Sequence, residues 1–186
     1  GAPDAKAAAK PRAASLVPVR PEPNGEFARL VREADRVVVS TLGVETRLLM
    51  EAATREEVRA IAALFRYTGE YAGAFYYTND GQEGVAIVKC ACDGDYLFTF
   101  HRGGREIFRV TVHHWAHTRA SGLAGGSDLT RSAASIRDLK ELIAKSSAWE
   151  AKQIAWYEEQ VARQLQAAAE KEAAAQSKAE REARRP

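Results

Sequence analysis

The sequence predicts an α+β fold: an antiparallel sheet of about five strands with helices packed on it and a long C-terminal helix. Three observations carry that expectation. Apolar and polar residues alternate through much of Val85 to His114, the period of half-buried strands. Apolar residues recur at spacings of three and four in Thr54 to Arg66 and again after Ser135, the period of helices that cover a sheet. From Trp149 onward a helical stripe gives way, after Leu165, to Ala, Glu, Lys and Arg, which keep a helix intact while solvated.

Taken in order, residues 1–24 are Ala, Pro and Lys with almost nothing to bury, so they predict a flexible leader. A compact domain is expected over 25–146 and the long helix, with its charged end, over 147–186. Within the domain, Glu26 to Ala34 reads as a short amphipathic helix with Phe27, Leu30 and Val31 on one side. The β-branched run Arg36 to Leu42 reads as a strand, Gly43 as a turn, and Thr46 to Ala52 as the second strand of a hairpin. Thr54 and Glu57 fit a capping box, which starts a helix running to about Arg66 with Val58, Ile61 and Phe65 facing the sheet. The Tyr- and Gly-rich stretch Tyr67 to Gly84 ends in the turn formers Asn79-Asp80-Gly81; its aromatics suit core, a loop plug or a binding lip.

Next comes a strand, Val85 to Cys92, in which Ala86, Val88, Cys90 and Cys92 share one face. Two further strands flank Arg102-Gly103-Gly104-Arg105. A two-residue loop there sets Phe98 against Arg109, whereas a three-residue loop pairs Phe98 with Phe108 and Tyr96 with Val110. Matched apolar faces favour the second register. It places His114 on the core side and His113 away from it, and brings Cys92 near His114 with Cys90 two residues along. Asp93 and Asp95 flank Gly94 as turn formers, and His101 is expected at a solvated hairpin tip. Ser127 and Asp128 would cap the element after the Gly-rich loop, and Ser135 with Asp138 would cap a helix whose face is Ile136, Leu139, Leu142 and Ile143.

Both cysteines and all four histidines thus fall within 28 residues, Cys90 to His117, three of the histidines in Val112 to Arg119. Three readings are open. Free cysteines pack as small hydrophobes, so Cys90 and Cys92 suit a sheet core. Cys90, Cys92, His114 and His117 also match the thiolate and imidazole ligands of a zinc site, or of a metal-assisted enzyme if one position stays open to water, although cysteine ligands of zinc usually have two or more residues between them. A thiol enzyme would use Cys92 as nucleophile and His114 as base. A disulfide between Cys90 and Cys92 is not expected if both lie in one extended strand, because their Cβ vectors would run parallel. The spacing of the histidines lacks the glutamate and helix of the zinc-protease motif.

Composition narrows the rest. The chain has 186 residues, 46% hydrophobic and 28% charged, ordinary values for a globular protein. A formal net charge of +2 gives no footprint for nucleic acid, and no apolar run is long enough for a transmembrane segment. Phosphate-binding GxxxxGK[ST], GxGxxG and GxSxG runs are absent. A non-catalytic binding module is therefore the favoured expectation. Its protein partner would meet the aromatic segment of Tyr71, Phe75, Tyr76 and Tyr77, or the C-terminal helix with Trp149 and Trp156. The leader, and a start at Gly1 rather than Met, suit an exported or periplasmic protein whose signal peptide is not in this chain.

The run from Lys89 to Arg119, "KCACDGDYLFTFHRGGREIFRVTVHHWAHTR", followed by "SDLTRSAASIRDLKELIAK", resembles an uncharacterised group of bacterial α+β proteins. These share a C-x-C-like segment, a GDY strand, a Gly hairpin, a strand ending in His-His and a closing helix. The resemblance covers about residues 35 to 145 and implies one compact α+β domain. At Trp115-Ala116-His117 this chain departs from the group, where a glycine often follows the two histidines.

Overall fold

The computed structural model describes residues 22–79 and 82–183; the side chains of 74–79, 82–85 and 182 are not among those described. Most of the expected leader, Asp80 and Gly81 of the expected turn, and the side chains of Phe75, Tyr76 and Tyr77 therefore lie outside the described residues. The chain divides into two compact units, Gly1–Leu139 and Lys140–Pro186.

In the first unit, helix α1 spans Pro23–Val31, starting earlier than the apolar pattern indicates. Pro23 sits in its first turn, where a proline's missing N–H is not needed, and the Glu22 carboxylate accepts from the N–H groups of Asn24 and Gly25. Strands β1 (Arg36–Thr41) and β2 (Leu48–Ala52) form the expected antiparallel hairpin. Helix α2 (Arg55–Ala62) opens on the expected capping box, with Glu57 N–H donating to Thr54 Oγ1 at 3.2 Å and Thr54 N–H to Glu57 Oε2 at 3.1 Å.

Then come β3 (Tyr67–Tyr71), β4 (Ala74–Asn79) and β5 (Gln82–Ile87), followed by β6 (Tyr96–Arg102), β7 (Arg105–His113), β8 (His117–Arg119) and β9 (Leu129–Arg131). Seven strands form one antiparallel sheet in the order β2-β1-β6-β7-β8-β9-β3, and β4 with β5 make a separate two-stranded ribbon. The sheet is wider than the five or so strands expected, because β8 and β9 have three residues each and β3 is rich in Tyr and Gly. None of the three carries a legible period of two.

The β6–β7 hairpin corrects the register. Arg102 pairs with Arg105 across a two-residue Gly103-Gly104 loop, and both glycines have positive φ (55° and 77°), as a type I′ turn requires. An irregularity after the His101–Glu106 pair then shifts the ladder by one residue. Phe100 meets Phe108, Phe98 meets Val110 and Tyr96 meets Val112. Matching of apolar faces does decide the pairing, but a bulge at Ile107 achieves it rather than a longer loop.

The face so formed is the core. Val37, Val39, Phe98, Phe100, Phe108, Val110, Val112 and Leu129 are buried. Phe27 of α1 lies over them with its ring 5.2 Å from that of Phe65, 5.9 Å from Tyr67, 6.0 Å from Phe100 and 5.8 Å from Phe108. Edge-to-face pairs of this kind add to the burial of large apolar area. Also buried, at 2% exposure, is the Arg131 guanidinium, held by Ser135 Oγ (3.0 and 2.7 Å) and the carbonyls of Ser135 (2.5 Å) and Trp115 (3.1 Å). Helix α3 (Ala133–Ser146) is capped by Ser132, whose Oγ accepts from Ser135 N–H at 3.2 Å. Ser135 is thus inside the first turn rather than the cap, and Asp138 instead pairs with Arg66 at 2.5 Å.

The second unit holds the end of α3 and the expected long helix, α4, over Ala148–Ala183. Ser147 caps α4 by accepting from Glu150 N–H. Lys140 meets Glu158 at 3.1 Å and the Tyr157 ring at 5.7 Å, and Glu159 pairs with Arg163 one turn on. Trp149 and Trp156 are both exposed, as are Val161 and Leu165 of the apolar stripe. Among the described residues no helix is long and apolar enough to cross a membrane.

Candidate metal centre

The two cysteines are not in a strand. β5 ends at Ile87, and residues 88–95 form an irregular connection that packs against Thr111, Val112 and His113 of β7. Freed from the ladder, the segment curls so that Cys90 Sγ and Cys92 Sγ converge to 2.7 Å, and Cys92 N–H donates to Cys90 Sγ at 3.4 Å. The parallel Cβ vectors of an extended strand, which would keep the sulfurs apart, do not apply.

Two anchors hold this segment. Cys90 N–H donates to Asp128 Oδ2 at 2.7 Å, and Arg119 Nη2 donates to the Cys90 carbonyl at 2.7 Å. Asp128 and Arg119 are themselves paired, and Asp128 is 2% exposed. Asp128 therefore secures the cysteine segment and does not cap a helix. At the other end, Asp95 N–H donates to the Val112 carbonyl at 2.7 Å, and its carboxylate accepts from His114 N–H at 2.6 Å. Between the anchors Gly94, at φ 103°, passes so close to β7 that a Cβ there would stand 3.1 Å from the Val112 oxygen and 3.4 Å from His113 Cε1.

His113 keeps its expected direction and His114 its expected place near Cys92, but their burial is the reverse of that expected. His113, at the end of β7, points away from the Val112 face and is fully buried beneath the cysteine segment; its Nδ1 lies 3.0 Å from Cys92 Sγ. His114 is exposed, at φ 49°, in the tight turn to β8; its Nε2 stands 3.4 Å from each sulfur. Trp115 follows at φ 63° and is buried, its ring 5.0 Å from that of Tyr96. His117 is opposite His113 on the β7–β8 ladder and is not among the groups gathered at the sulfurs. Cys90, Cys92 and His113 each offer a ligand atom within 4.8 Å of the others, a group that could hold a metal ion.

The electrostatics set the two sulfurs apart. Hydrogen bonds from the Cys92 side chain and N–H, and then the contact with the His114 ring, hold the Cys90 thiol below its ordinary range. Cys92, as donor to Cys90 and partly desolvated, is pushed up. Burial, reinforced by the charge of Arg119, lowers the pKa of His113 and keeps its ring neutral.

His113 was hidden in the sequence because a strand covered on one face by helices leaves its other face looking solvated. The residues that cover it, Cys90 to Asp95, have no periodic pattern at all. Of the expected interaction residues, Tyr71 is half-buried at the end of β3, and Trp149 and Trp156 lie in the other unit. Comparison of the chain with family models, with curated proteins and with solved structures gave no match.

Proposed function

We propose that the protein is a metal-binding module, with Cys90, Cys92 and His113 as ligands to a zinc-class cation and the His114 ring swinging in as the fourth. The observation that carries this reading is the hydrogen bond at the far side of His113. Its Nε2 lies 2.7 Å from Thr111 Oγ1, and that hydroxyl already donates to the Arg119 carbonyl at 3.3 Å. The hydroxyl therefore accepts from Nε2–H, which leaves the Nδ1 lone pair aimed at Cys92. A neutral imidazole fixed in this way by its other nitrogen is the usual arrangement of a metal-ligating histidine.

Distances support the same set. A tetrahedral ion with bonds of about 2.3 Å to sulfur and about 2.0 Å to nitrogen needs sulfur–nitrogen edges of about 3.5 Å and a sulfur–sulfur edge of about 3.8 Å. The two His114 distances of 3.4 Å match; the thiols, at 2.7 Å, must part by about 1 Å, which an irregular segment allows more readily than a strand. Two thiolates and two neutral imidazoles would balance a divalent charge, and four ligands leave no open position for a bound water. The role is therefore structural or regulatory rather than hydrolytic.

The test is zinc titration of chelator-treated full chain, followed by native mass spectrometry and pH-stat. One ion per chain, release of protons and a higher Tm are expected, all lost in C90S and H113A but kept in H117A. Binding that C90S and H113A leave unchanged would sink the reading.

The interaction-module reading has one observation in its favour: the exposed stripe of Trp156, Tyr157, Val161 and Leu165 on α4. Its partner would be a second copy of the same helix, since Tyr157, Val161 and Leu165 recur every four residues along one exposed face. Sedimentation velocity separates the two cases, with V161E making a dimer monomeric if the stripe is an interface and changing nothing if it is not.

A further inference from the structure

We propose that Cys90 and Cys92 also form a dithiol–disulfide couple that exchanges with small-molecule disulfides. The inference uses the same cluster but does not depend on a metal binding there.

Its first support is distance. The sulfurs, at 2.7 Å, need to close by about 0.7 Å to reach the covalent length of about 2.05 Å, a smaller movement than a zinc ion requires. The second is anchorage. Cys90 is held through both its N–H and its carbonyl by Asp128 and Arg119, and Asp95 through its N–H by β7, so the thiols stay together in the reduced protein. A pair held in this way closes on itself faster than a second external molecule can react. The third is an asymmetry of hydrogen bonding. Cys90 Sγ accepts from the Cys92 N–H and also meets the Cys92 thiol, so Cys90 is the better hydrogen-bonded sulfur and is assigned as the attacking one. The last is access: both cysteines are only half-buried, and the exposed His114 ring reaches both sulfurs.

The sequence of steps balances. Cys90 thiolate attacks one sulfur of R–S–S–R, forming Cys90–S–S–R and expelling RS⁻. Cys92 gives its proton to His114 and attacks Cys90 Sγ, forming the Cys90–Cys92 bond and expelling the second RS⁻. The two thiolates released take up protons from His114 and solvent. Two protein thiols are oxidised and one external disulfide is reduced to two thiols.

Reduced, chelator-treated full chain is mixed with oxidised glutathione, quenched with acid and weighed by mass spectrometry. Wild type is expected to lose two hydrogens without accumulating a glutathione adduct. C92S, and C92A as a second variant, should stop at one glutathione on Cys90, and H114A should slow ring closure about tenfold. Stable adducts on wild type, or a folded chain that stays reduced while the urea-unfolded chain oxidises, would overturn the proposal. The metal reading stands apart from this outcome. A chain that oxidises yet takes up no zinc refutes only the metal site, and one that binds zinc but forms no disulfide refutes only the redox couple.

Discussion

Arg119 and Asp128 meet in a two-pronged ion pair, 2.6 Å from Nε to Oδ1 and 2.9 Å from Nη2 to Oδ2, and together they bind both backbone polar groups of Cys90. Truncating Asp128 leaves the guanidinium and the Cys90 N–H without their acceptor. We expect D128A to cost about 3 kcal/mol, the low end for a buried pair because Arg119 is about a quarter exposed. In urea unfolding the double variant R119A/D128A should lose less than the sum of the singles, since the two changes remove one interaction. Additive losses would show that the pair does not act as a unit.

Gly94 should tolerate no side chain. Its φ of 103° is strained for an L-residue, and the Cβ would press on the Val112 carbonyl and the His113 ring. G94A is expected to lose about 1–3 kcal/mol in chemical denaturation. It should also weaken zinc uptake, because the segment must lift from β7 to relieve the contact. G103A, in the open hairpin loop, should leave zinc uptake unchanged.

Thr111 Oγ1 stands 2.7 Å from His113 Nε2, and in the proposed site it sets the tautomer of the ring. T111V keeps the shape and removes the hydroxyl, so Nε2–H loses its acceptor and the ring is free to turn. Zinc affinity should fall by about 10–100-fold in a competition titration, the usual effect of losing a partner of a ligating histidine. T111S should restore it. An unchanged affinity in T111V would mean that His113 is not oriented by this contact.

Tyr67 gives the fold an alkaline limit. Burial pushes its phenol up to about 12 from an ordinary 10, against the pull of the Arg131 charge. The raised value means that folding favours the neutral phenol. That stabilisation is complete below pH 10 and is lost as the pH rises from 10 towards 12. Relative to Y67F, wild type should lose about 2–3 kcal/mol over that window, from about 1.4 kcal/mol per pKa unit. Parallel curves for the two proteins would rule the effect out.

The parts of this fold legible in the sequence are those where one face of an element is apolar and the other wet. The Thr54–Glu57 cap, the β1–β2 hairpin and the alternation of Phe98, Phe100, Phe108, Val110 and Val112 all have that property. Register was recoverable in principle, since Phe100 does find Phe108, but a single bulge at Ile107 cannot be seen in a pattern. The site was half legible. Cys90, Cys92 and His114 do converge, as their proximity in the chain suggests. His113, Thr111, Arg119 and Asp128 were not, because their roles arise from the cover placed on the second face of the sheet by a segment with no period.

The cluster also joins distant parts of the chain. Cys90 is 24 residues from His114 and 38 from Asp128, and Arg119 stands between them. Closing such loops is a late event, since the entropy of bringing the ends together is lost before the contacts form. During synthesis, Cys90 is joined to the chain 38 residues before its buried acid partner. For that interval the two thiols lack the partners that hold them, and completion of the β7–β8–β9 meander marks the moment at which the nascent chain fixes them side by side.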